Sequence, residues 1–441
     1  MIPAAFRGQS TGKPPGSRRT FLGARRIRAV LLARVISGTA DGFLPVTLSF
    51  AVLRVSGSAG RLGLVLATQA ATALLVTLAG GLAGDRFPRA RVMTVSLLAR
   101  TAAAGVLAGA LLTGAPPFGL LLAMAAGYGC ADGFFGPAAA ALLPEVVSPA
   151  QLTAANAVIG GSTSAASVAA PAAAGLIVAA AGPGAAFAVQ TGFLAAAAAC
   201  LAAARAGTGR PAGSLPRGCA IAGAGGPGMA RPRKRGAGAG AVRQLADGFA
   251  AFGRLRWLWL LTAEWTCFSL IVLAPLAVLG PVIARQDLGG ARAWGLISSA
   301  LAAGSVGGQV IAGRLRNPAR PALVIAVLVP VMTAEALALG LGAPLAVIIA
   351  AAAAAGLAMG AQGVLFPVAM QTAVPSGLLA RVAAIDLLAS EAGQPAGYAL
   401  AGPAAAAIGA HAVLAAGAAG LLAAGAAFAW LRPLRVPAGR P

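Results

Sequence analysis

Apolar runs of roughly 20 residues recur along the whole length of this 441-residue chain, interrupted by Gly, Pro and clustered arginines. That is the length an α-helix needs to cross the hydrocarbon core of a bilayer. Lipid cannot hydrogen-bond a backbone, so a chain built this way is confined to bundled helices or closed barrels. The runs are too long for barrel strands, which leaves helices. Only 10% of residues are charged while 59% are hydrophobic, against about a quarter charged in soluble domains. The expected fold is an all-α integral membrane protein.

The runs and their Gly/Pro punctuation predict twelve spans, at about 29–53, 61–83, 92–113, 117–142, 152–179, 184–204, 257–283, 292–313, 321–341, 344–370, 381–406 and 410–431. An even number places both termini on one side. Of the 33 basic residues, Arg54, Arg61, Arg285 and Arg292 fall on the opposite side and Arg34 and Arg100 within spans. Every other basic residue falls on the side of the termini, so both are expected in the cytoplasm of a multi-pass plasma-membrane protein. The net charge of +23 then reflects topology and contact with anionic headgroups rather than nucleic-acid binding. Trp257, Trp259, Trp294 and Trp430 lie near predicted span ends, as an interfacial belt requires. A basic tail (1–28) is expected before a six-helix bundle (29–205), and a linker (206–256) before a second bundle (257–432) and a tail (433–441). The linker is Gly/Pro-rich and basic to about residue 240, and 241–256 reads as a surface helix bearing Leu245, Phe249 and Phe252.

The two bundles read as a repeat. A shift of 232 residues aligns Gly63 with Gly295, Gly81 with Gly313, Gly161 with Gly393, and Ala170-Pro171 with Gly402-Pro403. These matches predict parallel repeats related by an axis along the membrane normal. The same shift sets Asp85 against Asn317, so that acid belongs to one half.

Several features exclude other classes. Four dispersed cysteines and a single histidine, His411, give neither metal spacing nor a Ser-His triad. No Walker-type loop appears, so ATP is not the direct energy source. No cofactor, metal or enzymatic role is expected.

The segment Gly81-Leu82-Ala83-Gly84-Asp85-Arg86-Phe87, with Arg89 and Arg91 after it, resembles the signature that follows the second span in the major facilitator superfamily. Pro88 stands where a glycine is usual. "SGTADGFLPVTLSFAVLRVSGSAGRLGL", "GFFGPAAAALLPEVV" and "LTAANAVIGGSTS" are similar to the branch that includes the enterobactin exporter and actinobacterial efflux proteins. The resemblance implies two pseudo-symmetric six-helix bundles that rock around a central cavity. It also implies a conformational latch: Asp85 caps the N-terminus of span 11, near Leu379 to Val382, beside Arg381. A carboxylate at such a terminus contributes roughly 0.3–1 kcal/mol exposed and up to ~2 partly buried, which suits a contact that forms and breaks each cycle. The alternative is a solvated loop obeying the charge rule. "GSTSAASVAAPAAAGL" in span 5 resembles the exporter-associated signature, which makes Gly161, Pro171 and Gly175, with Gly402 and Pro403 in the repeat, candidate packing and pivot positions.

Ionisable residues inside spans cost at least ~2.5–3.5 kcal/mol and so face a cavity or a partner. Asp41 in span 1 and Asp132 in span 4 fall near mid-depth, Glu391 in span 11 is a third deep acid, and Arg34 lies two turns before Asp41. These are the candidates for proton coupling or for holding a substrate cation, because desolvation disfavours a charged carboxyl group. The alternative is a static ion pair, with Arg100 and Glu335 as the candidate structural members. Glu264 and Asp386 read as shallower. Tyr128, Phe134, Phe135, Trp265, Phe268 and Phe366 line the cavity, face lipid or pack against neighbours. The expected activity is monomeric secondary transport, a small molecule leaving by alternating access against proton entry. The rivals are a proton-coupled importer or uniporter, a flippase-like lipid handler, and a non-transporting sensor.

Overall fold

In the computed structural model the chain is described over residues 25–114, 116–147, 149–206, 252–314 and 321–430. The side chains of some helix residues, among them Asp85, Arg86, Arg381 and Trp430, lie outside the described set. Residues 1–24, 207–251 and 431–441, most of both tails and of the linker, also lie outside it.

Spans 1 to 4 are the helices Arg25–Ser56, Ala59–Arg86, Arg89–Thr113 and Phe118–Val146. Spans 5 and 6 are the two arms of Pro149–Ala206, which breaks at Gly182 with φ 83° and ψ 169°. A left-handed φ favours glycine because it carries no Cβ. Span 7 comprises Arg256–Phe268, the wide π-turn Ser269–Leu273 and Ala274–Asp287. Span 8 is Ala291–Arg314 and span 10 is Leu345–Ala373. Span 9 is broken into Pro321–Met332 and Ala334–Gly340 at Thr333, whose hydroxyl donates back to the Pro330 carbonyl at 2.7 Å. Spans 11 and 12, Ser376–Ile408 and Ala410–Trp430, meet at 115° across Gly409 (φ 88°). Among the described residues, eight helical stretches are each long and apolar enough to cross a membrane. The two arms of the kinked helix, the bent pair and the broken span complete the expected twelve crossings.

Packing follows from small residues. Gly304 and Gly308 of span 8 lie against the carbonyls of Ala353 and Leu357, while Gly356 and Gly360 of span 10 lie against those of Leu301 and Ser305. The two helices thus interlock through reciprocal small-xxx-small pairs, which lets their backbones touch. In the first half, Gly129 and Gly133 of span 4 lie against the Gln69 and Ala73 carbonyls of span 2 in the same manner.

The halves meet at their ends away from the termini. Gly63 of span 2 lies on the Tyr398 carbonyl of span 11, and Gly402 on the backbone of Gly60. Gly295 of span 8 approaches the Pro171 carbonyl (2.6 Å from an ideal Cβ) and the Cα of Gly175 at 3.1 Å. Gly63 and Gly295, equivalent in the repeat, therefore both sit where one half crosses the other. Arg285 donates to the Leu53 carbonyl at 2.6 Å, joining two positions 232 residues apart. That is the repeat offset itself, as expected of equivalent positions meeting beside the pseudo-twofold axis.

Some expectations change. Span 11 begins at Ser376, after Pro375 in extended conformation (φ −55°, ψ 138°), rather than near Leu379 to Val382. Its start is set by that proline, which suits the entry to a helix and not its interior. Arg381 consequently lies more than a turn inside. Gly161 has nothing within 4 Å of an added Cβ, so it is not a packing position. Its repeat partner Gly393 does pack, against the Thr266 carbonyl. The helix runs on through Pro171, and its internal break is at Gly182. Trp259 is exposed, but Trp257 and Trp294 are buried, the latter with its ring over Gly280.

Candidate functional site

Span 3 carries Arg100 into the interior of the first half, where the side chain is 0% exposed. A bare guanidinium at that depth is untenable, and the neighbouring spans supply its partners. Asp41 of span 1 forms an ion pair with Nη2, and Asp132 of span 4 lies 3.4 Å from Nη1. Nη2 also donates to the Tyr128 hydroxyl at 2.6 Å. That hydroxyl lies 3.2 Å from Asp41 Oδ1 and accepts from Gln190 of span 6 at 3.4 Å. Arg100 further lies over the Tyr128 ring at 4.5 Å and the Phe135 ring at 5.4 Å. Arg34 covers Phe135 as well, at 5.6 Å, so that ring is shared by two cations.

The asymmetry of burial is informative. Arg100 is fully enclosed, while Asp41 and Asp132 remain 44% and 51% exposed. Asp41 shares a helix face with Pro45 and Leu48, one and two turns on. Those residues line a central cavity of about 520 Å³ walled by spans from both halves. The two carboxylates and one guanidinium leave a single negative charge when both acids are ionised. The group can therefore accept one proton or one substrate cation.

The other sequence candidates fall elsewhere. Glu335 lines the central cavity from span 9, and its Oε2 is buried with no hydrogen-bond partner. It is remote in the fold from Arg100 and has no ion-pair partner among the described residues, so the expected pairing role does not apply to it. Glu391 accepts from Gln394 Nε2 at 2.8 Å. Gly175, Pro171, Gly402 and Gly63 are brought to the crossings between halves, whereas Gly161 has open space around it and Pro403 is exposed. The latch residues cannot be placed against one another, since the side chains of Asp85, Arg86 and Arg381 lie outside the described set. Gly81 and Asp85 belong to the helical backbone of span 2, and the connection to span 3 is only Phe87 and Pro88, both exposed. Arg89 and Arg91 open span 3. His411 faces Asp287 at 3.6 Å on the side away from the termini.

Gln190, which completes the Tyr128 network, carries no sequence signal, and Asp386, which reads as a shallow acid, lies 7% exposed in a second cavity. Asp386 accepts from Thr262, 124 residues earlier, at 2.5 Å. Its depth was legible only as a span position; no local spacing marks a partner so distant.

Twelve helices in two interlocked bundles, with charged groups gathered beside a cavity between them, define a membrane transporter rather than an enzyme. Residues 30–397 match the sequence profile of the Major Facilitator Superfamily, and the chain belongs to that family. Among solved structures it is similar to a bacterial homologue of the human lysosomal transporter Spinster in an inward-facing, unoccupied conformation. The TM-score is 0.63 at 16% identity, covering 94% of this chain and 97% of the other. It is also similar to a POT-family transporter bound to a thioalcohol-conjugated peptide, with TM-score 0.69, 10% identity, and 93% and 96% covered. The nucleoside transporter NupG gives 0.67 at 11% identity, with 91% and 99% covered. At these identities the likeness is one of fold. No curated protein matches the sequence.

Proposed function

We propose that the protein exports a small molecule from the cytoplasm in exchange for protons, with Asp41, Arg100 and Asp132 as the coupling group. The observation that carries this reading is a fully enclosed cation held between two carboxylates that are each about half exposed. A proton arriving at either carboxylate removes one of the two anions that hold the guanidinium. Tyr128, itself held by Gln190, keeps hold of Arg100 as the carboxylates change partners. Loading and unloading at Asp41 then changes the charge and hydrogen bonding of the wall facing the central cavity. Proton occupancy is thereby tied to the arrangement of spans 1, 3 and 4.

Orientation rests on the charge rule: the arginine-rich side, with both termini, is cytoplasmic. The tight crossings at Gly63, Gly295 and Arg285 then close the extracytoplasmic side. The bundles 29–205 and 257–432 are the rocking bodies and 206–256 the tether. Asp85, with Arg86, Arg89, Arg91 and Arg381, is the latch of the cytoplasmic side, and it closes when the cavity opens outward. Efflux as a direction is supported by the resemblance of span 5 to exporter sequences. The test compares accumulation of candidate compounds in whole cells and in inverted vesicles energised by a pH gradient. Export predicts depletion from cells and gradient-dependent uptake into vesicles, both abolished by Asp41→Asn or Asp132→Asn. Unchanged transport in either well-folded variant would remove that residue from the coupling group.

A further inference from the structure

A second cavity, of about 310 Å³, lies wholly within the second half between spans 7, 8, 10 and 11. It shares no lining residue with the central cavity. Its polar walls are unbalanced. Asp386 and Gln362 are 7% and 8% exposed, and both reach into it. The Gln362 amide oxygen is buried and has no hydrogen-bond partner. Asp386 receives a bond from Thr262, but that hydroxyl has one proton and a competing acceptor, the Leu258 carbonyl at 2.9 Å. No arginine, lysine or histidine lines the cavity. The walls are thus unbalanced in charge: an anionic acceptor and an unpaired amide oxygen stand with no cation among them, beside the neutral hydroxyls of Ser305 and Ser390. Such groups are costly to leave unmet at this depth. The rings of Trp265 and Phe366 also line the cavity, and aromatic rings attract cations and stack on flat molecules.

We infer that this cavity is a substrate subsite for a planar aromatic cation bearing N–H donors. Asp386 and Gln362 accept those donors, and Trp265 and Phe366 hold the aromatic body. The inference rests on the reading of the chain as a small-molecule exporter and names the class of compound it takes. It also separates the two tasks in space: substrate charge is met in the second half, protons in the first.

The test is equilibrium binding of proflavine, a planar cation with N–H donors, to the purified full chain in detergent micelles, read by fluorescence. 9-Anthracenemethanol serves as the neutral comparison. Saturable proflavine binding is expected, weakened by about 10- to 100-fold in Asp386→Asn, the range for losing hydrogen bonds to a charged group. Gly363 also lines the cavity, and nothing lies within 4 Å of an added Cβ there. Gly363→Leu therefore fills the space while keeping every polar group and favouring the helix, and it is expected to weaken binding as much. It answers the objection that Asp386→Asn fails to fold. Asp287→Asn, which removes an exposed acid on the far side, controls for net charge and is expected to bind as the parent does. The inference is overturned by absence of saturable binding to the parent chain. It is equally overturned if Gly363→Leu binds unchanged, if a monodisperse Asp386→Asn binds unchanged, or if the neutral anthracene binds as tightly as proflavine. Binding in micelles needs no gradient. Failure of the export reading would show instead as absent or reversed flux in vesicles, with these affinities intact.

Discussion

Replacing Arg100 with Met tests whether the charges of the first half act as one unit. The substitution keeps most of the side-chain bulk and removes a guanidinium that is 0% exposed. Breaking a buried pair by deleting one partner costs about 3–5 kcal/mol. Here the carboxylates left behind are 44% and 51% exposed and can rehydrate, which places the loss near the lower end, about 3 kcal/mol. Asp41→Asn alone leaves Arg100 with Asp132 at 3.4 Å and the Tyr128 hydroxyl at 2.6 Å. It forfeits one charge-assisted bond, about 1.5–3 kcal/mol. The double variant lacks both the bond and one of the stranded acids, so its loss falls short of the sum by about 1–2 kcal/mol. SDS-driven unfolding in mixed micelles, followed by tryptophan fluorescence, measures all three. Losses that add to within about 0.5 kcal/mol would show that Asp41 and Arg100 are not energetically joined, and the reasoning would fail.

Three further outcomes follow from the packing and the latch. Gly308→Leu drives a side chain into the Leu357 carbonyl of span 10, and the same unfolding assay should register at least about 1–3 kcal/mol of overpacking; a variant as stable as the parent would contradict the interlocked pair. Arg285→Ala removes the bond to the Leu53 carbonyl that joins the halves on the side away from the termini. The population open on that side should rise by about tenfold, for a bond of ~1.5 kcal/mol, seen as faster labelling of a cysteine at Ser56 by an impermeant maleimide. Asp85→Asn should slow transport with little change in proflavine affinity, and unaltered kinetics would reduce the arginines around it to topology signals.

How much of this was written legibly in the sequence depends on the range of the interaction. Spans were readable because lipid demands an unbroken apolar run, a purely local requirement. The repeat was readable at glycines because backbone crossings admit nothing larger: Gly63 and Gly295 align and both lie at crossings between halves. The spacing Gly304-xxx-Gly308 and Gly356-xxx-Gly360 was equally visible, though only the structure shows the two pairs facing each other. Gly161 illustrates the converse, a motif glycine with open space around it. Trp294 reads as an interfacial residue, yet Gly280 leaves room for its ring indoors. The charged group was legible as a set of deep residues on spans 1, 3 and 4, but not as a pairing scheme. Asp41 and Arg100 come from different spans, and from sequence alone the partner of Arg100 reads only as a carboxylate on an adjacent helix. Asp386 was harder still, because what distinguishes it is a cavity wall drawn from four spans.

Coupling of proton movement to Asp41 and Asp132 around Arg100 is tested most directly by proflavine flux in proteoliposomes carrying an imposed pH gradient and a trapped pH-sensitive dye. In the parent protein proflavine and protons are expected to move in opposite directions. Asp41→Asn and Asp132→Asn should exchange proflavine down its own gradient without moving protons. Proton movement that persists in both variants at the parent's rate would contradict that coupling.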